Sequence, residues 1–248
     1  MLSDEQLLRY SRQIMLPELD IAGQEKLRAA SVLIVGLGGL GSPVAMYLAA
    51  AGVGHLVLAD GDRVDLHNLQ RQIVHDTHAV GVRKTESAMT RLAALNHDCA
   101  VECIDAYLDE EQLDAVLARV DLVIDCTDNF RTRFALNAAC VKAGKALVSG
   151  AAIRYEGQVA VFNDRADAPC YACLYPDSDE QAETCSENGV LAPLVGIIGS
   201  VQAFEALKLL AGLGEPLSGR LLLLDGLAMR WREMRLNRDP DCRVCGAR

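Results

Sequence analysis

Residues 32–41 read V-L-I-V-G-L-G-G-L-G. An apolar run of strand character enters a glycine turn spaced G-x-G-x-x-G at Gly36, Gly38 and Gly41. In such a turn the first glycine permits the sharp bend. The second lets backbone approach a phosphate, and the third lets the following helix pack closely on the strand. The helix expected over residues 40–51 would aim its N-terminal amides and partial positive charge at an anion held there. A second strand over residues 55–59 ends at Asp60, where a carboxylate can accept ribose hydroxyls. This combination predicts a nucleotide site, and up to this point it fits NAD as well as ATP. A glycine turn serving only packing is the alternative.

Working outward, strands are expected over 31–35, 100–104, 120–125 and 146–149. They alternate with helices over 82–95, 109–118 and 131–143. Strands alternating with helices imply right-handed crossovers and a parallel sheet. The fold class is therefore α/β, a Rossmann-like, mainly parallel sheet with helices on both faces. Past residue 150 the pattern changes. Residues 157–162 look like an antiparallel strand, 194–210 like a strongly apolar helix, and 221–224 with 229–235 like a hairpin around Asp225 and Gly226. Residues 176–188 are polar and acidic without apolar period, which suits a loop. At the N-terminus, Ser3 and Gln6 have capping-box spacing. The helix they open is expected to turn Leu7, Leu8 and Ile14 toward the core and to carry Arg9 and Arg12 on one face. A further helical stretch is expected near 23–30. No repeat or linker is evident, so 1–248 is read as a single domain, with an arm over 1–30, a nucleotide-binding part over 31–150 and an elaboration over 151–248.

Composition narrows the function. The 248 residues are 51% apolar and only 4% aromatic, so Ala, Leu, Val and Ile must build the core. A formal net charge of −10 argues against nucleic acid or a membrane surface as partner, since both call for basic patches. No stretch reaches the roughly 18 consecutive apolar residues of a spanning helix, and the acidic start M-L-S-D-E-Q does not resemble a signal peptide. Nine cysteines, an odd count in a chain this long, suit a reducing cytoplasm.

Downstream charges separate ATP from NAD. Asn68 and Arg71, in H-N-L-Q-R at 67–71, follow the second strand, and Lys84 opens the next helix. The strand over 120–125 runs into D-C-T-D-N, bringing Asp125, Asp128 and Asn129 to the same edge. Hydride transfer has no need of that set. Arg and Lys can neutralise a triphosphate, and a carboxylate can hold Mg²⁺. There is no G-x-x-x-x-G-K-[ST] loop, so a triphosphate would be held by a different arrangement. Taken singly, Arg71 and Lys84 could be ordinary surface charges.

Cys170 and Cys173 form one C-x-x-C pair, Cys242 and Cys245 another. Two such pairs in an intracellular chain read as a tetrahedral Cys₄ zinc site, structural because no coordination position stays open. A redox C-x-x-C is the competing reading. Cys185 stands in the polar loop, an exposed thiol read as incidental. Cys99, Cys103, Cys126 and Cys140 fall in expected strands or helices and read as small buried residues.

These motifs in this order resemble the MoeB/ThiF family, the bacterial relatives of ubiquitin-activating enzymes. The resemblance rests on R-Y-S-R-Q at 9–13, V-G-L-G-G-L-G at 35–41, D-G-D-R-V at 60–64, N-L-Q-R-Q at 68–72, G-V-R-K at 81–84 and D-C-T-D-N at 125–129. S-G-A-A-I-R-Y-E-G-Q at 149–158, A-P-L-V-G-I-I-G at 192–199 and the two C-x-x-C pairs extend it over nearly the whole chain. It implies an adenylyltransferase that uses ATP on the C-terminal Gly-Gly of a small ubiquitin-like sulfur carrier. The carrier is expected to be the small subunit of molybdopterin synthase, with the thiamin-pathway carrier as alternative and an NAD-dependent oxidoreductase as a remote one. A nucleotide-sensing scaffold is the non-catalytic alternative.

The resemblance also implies roles for single residues. Gly39 would approach the nucleotide and Asp60 would hold ribose. Asn68, Arg71 and Lys84 would contact the phosphates, while Asp128 would hold Mg²⁺ with Asn129 beside it. Arg12 would reach the triphosphate of a neighbouring subunit, making a homodimer. Cys170, Cys173, Cys242 and Cys245 would bind Zn²⁺, so 151–248 becomes the carrier-binding and zinc-binding part. The chain shows no fused sulfurtransferase, so a separate sulfur donor is expected. Cys185 lies in the region where some family members become linked to the carrier.

Overall fold

In a computed structural model, which describes residues 2–175 and 189–246, the strands form one eight-stranded sheet. The N-terminal arm holds α1 (Asp4–Arg9), α2 (Ser11–Ile14) and α3 (Asp20–Ala29). The alternating part runs β1 (Ser31–Val35), α4 (Gly41–Ala51), β2 (His55–Ala59), α5 (Lys84–Leu95), β3 (Ala100–Ile104), α6 (Glu110–Leu117), β4 (Leu122–Asp125), α7 (Phe130–Ala143) and β5 (Ala146–Ile153). There follow β6 (Glu156–Phe162), α8 (Tyr171–Leu174), α9 (Ala192–Ala211), β7 (Arg220–Asp225) and β8 (Arg230–Arg235).

The strand order is β3-β2-β1-β4-β5-β6-β7-β8. The first five strands are mutually parallel, and β6, β7 and β8 add on antiparallel. The chain leaves β1 toward β2 and β3 and returns to β4 on the other side. That reversal opens a crevice outside the carboxyl ends of β1 and β4, where open α/β sheets bind ligands. The register sets its walls, because Val35 lies level with both Ala59 and Asp125. The glycine turn, the loop from Asp60 and the D-C-T-D-N turn therefore leave the sheet side by side. β5 runs to Ile153, beyond its expected end, because β6 pairs with it along its length.

Strands buried on both faces read as continuous apolar runs. Alternate residues divide between two cores. Val32, Ile34, Leu56, Leu58 and Ile124 pack under α4, α5 and α9 through Val44, Leu48, Leu92, Leu194 and Ile198. Leu33, Val35, Val57 and Val123 pack under α6 and α7 through Leu113, Leu117, Leu136 and Cys140. By length and hydropathy α9 could cross a membrane. Instead Leu194, Ile198, Ala203 and Ala206 are buried in the first core, which makes it a central core helix.

The arm departs from expectation. Ser3 and Gln6 do close a capping box. Yet Leu7 and Leu8 face outward, Leu8 with 77% of its surface exposed, and Ile14 is only half-buried. The inward face instead carries Gln6 and Tyr10, one turn apart. Gln6 donates to Asp98 Oδ2 at 3.0 Å, and the Tyr10 hydroxyl accepts from Asn96 Nδ2 at 2.8 Å. These polar anchors set the rotation of α1. The helix also breaks at Tyr10, so Arg9 and Arg12 sit on separate helices rather than one face. Cys99, Cys126 and Cys140 are buried as expected, whereas Cys103 is half-buried because β3 is an edge strand. Burial pushes the Cys99 and Cys140 thiols up to about 12, which leaves them inert.

Candidate functional site

The glycine turn is as tight as its spacing requires. Gly36 has φ +91°, and a Cβ on Gly41 would lie 1.9 Å from the Gly36 carbonyl oxygen. No side chain fits there, so the start of α4 packs directly on the end of β1. Gly39 lines the cleft, but its missing Cβ faces Val195 of α9 at 2.8 Å. Its smallness lets α9 close against the turn.

Asp60 stands behind this turn, buried. Its Oδ2 accepts from the Leu37 amide at 2.7 Å and its Oδ1 from the Asp62 amide at 2.8 Å. A carboxylate has about four acceptor positions, so lone pairs remain for a ligand's hydroxyls. Lys84 enters from the first turn of α5 and is also buried. Its Nζ pairs with Asp62 Oδ2 at 2.7 Å and approaches Asp60 Oδ2 at 4.0 Å. The Asp62 carboxyl is held below its usual range: burial opposes the shift, and the Lys84 and Tyr107 hydrogen bonds outweigh it. Arg71 lines the same cleft and donates to the His67 carbonyl at 3.3 Å.

The third wall is the D-C-T-D-N turn. Asp125 is wholly buried and accepts from Thr127 N, Thr127 Oγ1 and Ser149 Oγ at 3.0, 2.7 and 2.7 Å. It shapes the turn and does not face the cleft. Asp128 does face it, with an exposed carboxylate that makes no hydrogen bond or ion pair to any described residue. Asn129 also lines the cleft, but its Oδ1 caps α7 by accepting from Thr132 N at 2.9 Å. The cleft therefore gathers Gly39, Asp60, Arg71, Lys84, Asp128 and Asn129. Two predicted residues stand apart from it. Asn68 is buried in a turn of its own, where its Oδ1 accepts from Asp65 N at 3.3 Å and its Nδ2 meets His67 Nε2 at 3.0 Å. Arg12 is exposed on α2 and lines neither this cleft nor its neighbour.

That neighbour is a groove of about 390 Å³ crossing β5, β6 and β7, walled by Phe130, Gln158 and Tyr175. The groove and the cleft share Asp128, Arg133 and Ala152, so they adjoin at these residues. Arg133 was not among the residues predicted from sequence. It is buried, and its Nη2 donates to the Thr127 carbonyl at 2.6 Å and the Gly150 carbonyl at 3.1 Å, with Asp125 Oδ2 3.9 Å from Nε. One guanidinium thus ties the Asp128 turn to the floor of the groove. The motif D-N-F-R-T-R held the signal, since Arg133 lies four residues after Asn129 on the same helical face. Removing one partner of a buried pair leaves the other charge uncompensated. Arg133→Met is expected to lower stability by roughly 3–5 kcal/mol, measured by urea unfolding.

His75 was also missed. Its Nε2 lies 3.1 Å from the Leu37 carbonyl and its Nδ1 2.9 Å from Ser87 Oγ. A carbonyl only accepts, so Nε2 carries the proton and Nδ1 accepts from the serine. Leu37 in the glycine turn is then held at both ends, its amide by Asp60 and its carbonyl by His75. Burial pushes the His75 imidazole below its ordinary 6.5. The unfolded chain binds that proton as pH falls through about 6.5, while the folded protein resists it to lower pH. Stability from the neutral imidazole is complete above that range and is lost as pH falls through it. His75→Gln is expected to flatten the fall in urea midpoint between about pH 7 and 5.

The four paired cysteines converge from opposite ends of residues 151–248. Their Sγ atoms all lie within 4.8 Å of one another. The Cys170–Cys242, Cys173–Cys245 and Cys170–Cys173 distances are 3.7, 3.4 and 3.9 Å. A zinc tetrahedron with bonds of about 2.3 Å has edges of about 3.8 Å, so the set fits Zn²⁺. Asn137 Nδ2 and the Asp239 amide point at Cys170 and Cys173 at 3.6 and 3.5 Å, the kind of support that orients thiolate ligands. Cys185 and the loop expected over 176–188 lie outside the described residues.

The ThiF family model matches residues 10–244. Over 245 residues the chain is 52% identical to the molybdopterin-synthase adenylyltransferase of Escherichia coli K12, covering 99% of this chain and 98% of the relative. It is 45% identical over 245 residues to the sulfur carrier protein ThiS adenylyltransferase of the same organism, covering 99% and 97%. Among solved structures, E. coli MccB with MccA-N7isoASN superposes with a TM-score of 0.86 at 24% identity, covering 99% of this chain and 75% of that one, a likeness of fold. The chain belongs to the ThiF family.

Proposed function

We propose that this chain adenylates the C-terminal glycine of a small ubiquitin-like sulfur carrier at the expense of ATP, and that the carrier is the small subunit of molybdopterin synthase. The observation that carries the reading is the meeting of a nucleotide-type cleft and a separate groove at Asp128 and Arg133. ATP would lie in the cleft with its ribose at Asp60. An extended protein tail would lie in the groove and deliver its carboxylate to the junction. A hydride transfer needs no second groove and no Lys84–Asp128 set.

In this reaction a carboxylate oxygen attacks the α-phosphorus. The bond to the α–β bridging oxygen breaks, and pyrophosphate leaves with the electron pair. The attacking group is already ionised, so no general base is required. The obstacle is the approach of two negative groups, which positioned cations offset. Lys84 and Arg71 would bind the phosphates, with Lys84 exchanging part of its contact with Asp62 for phosphate oxygen. Asn68 would act from the buried turn beneath Arg71. Asp128, free among the described residues, would hold Mg²⁺, which when bound supplies further positive charge to the phosphates. Zn²⁺ in the cysteine site would be structural, tying residues 242–245 to the start of α8.

Arg12 would act on a second copy of the chain. It lies on an arm that exposes Leu8, Met15, Leu16 and Ile21, a face suited to a homodimer contact. Sedimentation is expected to give a dimer, and Leu16→Glu to shift it toward monomer. None of the described cysteines forms a disulfide, which suits a reducing cytoplasm; the sulfur donor would be a separate enzyme.

The 52% identity to a molybdopterin-synthase adenylyltransferase favours that carrier. The 45% identity to a ThiS adenylyltransferase supports a second reading with the thiamin-pathway carrier. Both carriers, offered separately with ATP and read by the mass of their C-termini, decide between them. The expected product is an adenylate on the molybdopterin-synthase carrier. Modification of the thiamin carrier alone would reverse the choice.

A further inference from the structure

We propose that Tyr107 is the residue that stacks on the nucleotide base and sets the cleft's preference for one. The inference rests on the reading of the cleft as an ATP site. Asp60 ends β2 and would fix the ribose, and the phosphates would run from there toward Arg71, Lys84 and Asp128. The base must then lie on the other side of the ribose, toward the neighbouring strand β3. The segment that leaves β3 lines the cleft there with Ala106, Tyr107 and Leu108.

Tyr107 is unusual in this apolar company. Its side chain lies in the cleft, yet 76% of its surface is exposed. It is also held in place. Its hydroxyl donates to Asp62 Oδ1, and its ring edge covers Gly61, where a Cβ would come within 2.7 Å of Cε2. An aromatic ring anchored at its tip, with an open face, loses little freedom when a planar base lies on it. The other Asp62 oxygen holds Lys84 at 2.7 Å, so one carboxylate links the base end of the cleft to the phosphate end.

Titration calorimetry on the full chain tests this with two probes, ATP and inorganic tripolyphosphate, which lacks the base. Removing an aromatic platform weakens a stacked base by about tenfold or more. Tyr107→Ala is expected to weaken ATP by that factor without a matching loss for tripolyphosphate. Tyr107→Phe, which keeps the ring and loses the tie to Asp62, is expected to regain most of the lost ATP affinity. Wild-type ATP affinity in Tyr107→Ala would overturn the assignment. So would equal losses for both probes, which would place the effect on Lys84 through Asp62. Failure of the wild-type chain to bind ATP at all would overturn the reading of the cleft itself.

Discussion

Asp128→Ala is expected to reduce ATP–pyrophosphate exchange by at least about 100-fold, the scale seen when one group stabilising transition-state charge is removed. Its melting temperature should stay within about 2 °C of wild type, as expected of a surface change of roughly 0.5 kcal/mol or less. The two expectations come from one fact. Asp128 is exposed at the junction of cleft and groove, and no described residue hydrogen-bonds to its carboxylate. The turn that carries it is shaped by Asp125 and by Arg133, and neither depends on the Asp128 side chain. Arg71→Ala should behave alike, since the one described hydrogen bond of its side chain is a 3.3 Å bond to a neighbouring carbonyl. Exchange assays paired with thermal unfolding separate lost chemistry from lost fold. Wild-type exchange in both variants would remove the cleft from the reaction.

Cys245→Ser is expected to do the opposite, damaging the fold first. The two thiol pairs are carried by α8 with its N-cap and by the Cys242–Cys245 turn, and their Sγ atoms lie within 4.8 Å of one another. With Zn²⁺ in place a Cys₄ site contributes folding free energy directly. Losing one buried ligand should release the metal and cost roughly 4 kcal/mol, or about 10 °C at the 2–4 °C per kcal/mol typical of this chain length. Elemental analysis and calorimetry check both halves. Zinc-free protein as stable as the metal-loaded form would refute a structural metal. The site lies on the α7–α8 side of the sheet, so residual exchange should survive in whatever fraction stays folded.

Much of this molecule was legible in the chain because local chemistry and tertiary structure ask for the same residues. Gly36 and Gly41 meet backbone to backbone in the fold, so no other residue type could stand there, and the spacing alone announces it. Asp60 follows the apolar run over residues 56–59, and in a parallel sheet that places it at the carboxyl edge. The two C-x-x-C pairs advertise their ligand set by spacing, although 72 positions separate Cys170 from Cys242.

What escaped was decided by contacts between distant segments. Leu7 and Leu8 look like the inward face of α1 until Gln6 meets Asp98 and Tyr10 meets Asn96. A helix of six residues has little apolar area to set its own rotation, and two polar anchors override it. Arg133 and His75 act through backbone carbonyls, Thr127, Gly150 and Leu37, and a carbonyl leaves no mark in the sequence. Asn68 and Asn129 stand in recognisable motifs, yet both side chains are engaged in closing local turns, a duty their motif spacing does not disclose.

The central claim is that the cleft and the groove serve one reaction. Its most direct test is ATP–pyrophosphate exchange measured with and without an intact carrier ending in Gly-Gly. The account predicts exchange that appears with the intact carrier and disappears when its last two residues are removed. Exchange that ignores the carrier tail, or none with either the molybdopterin-synthase or the thiamin-pathway carrier, would contradict it.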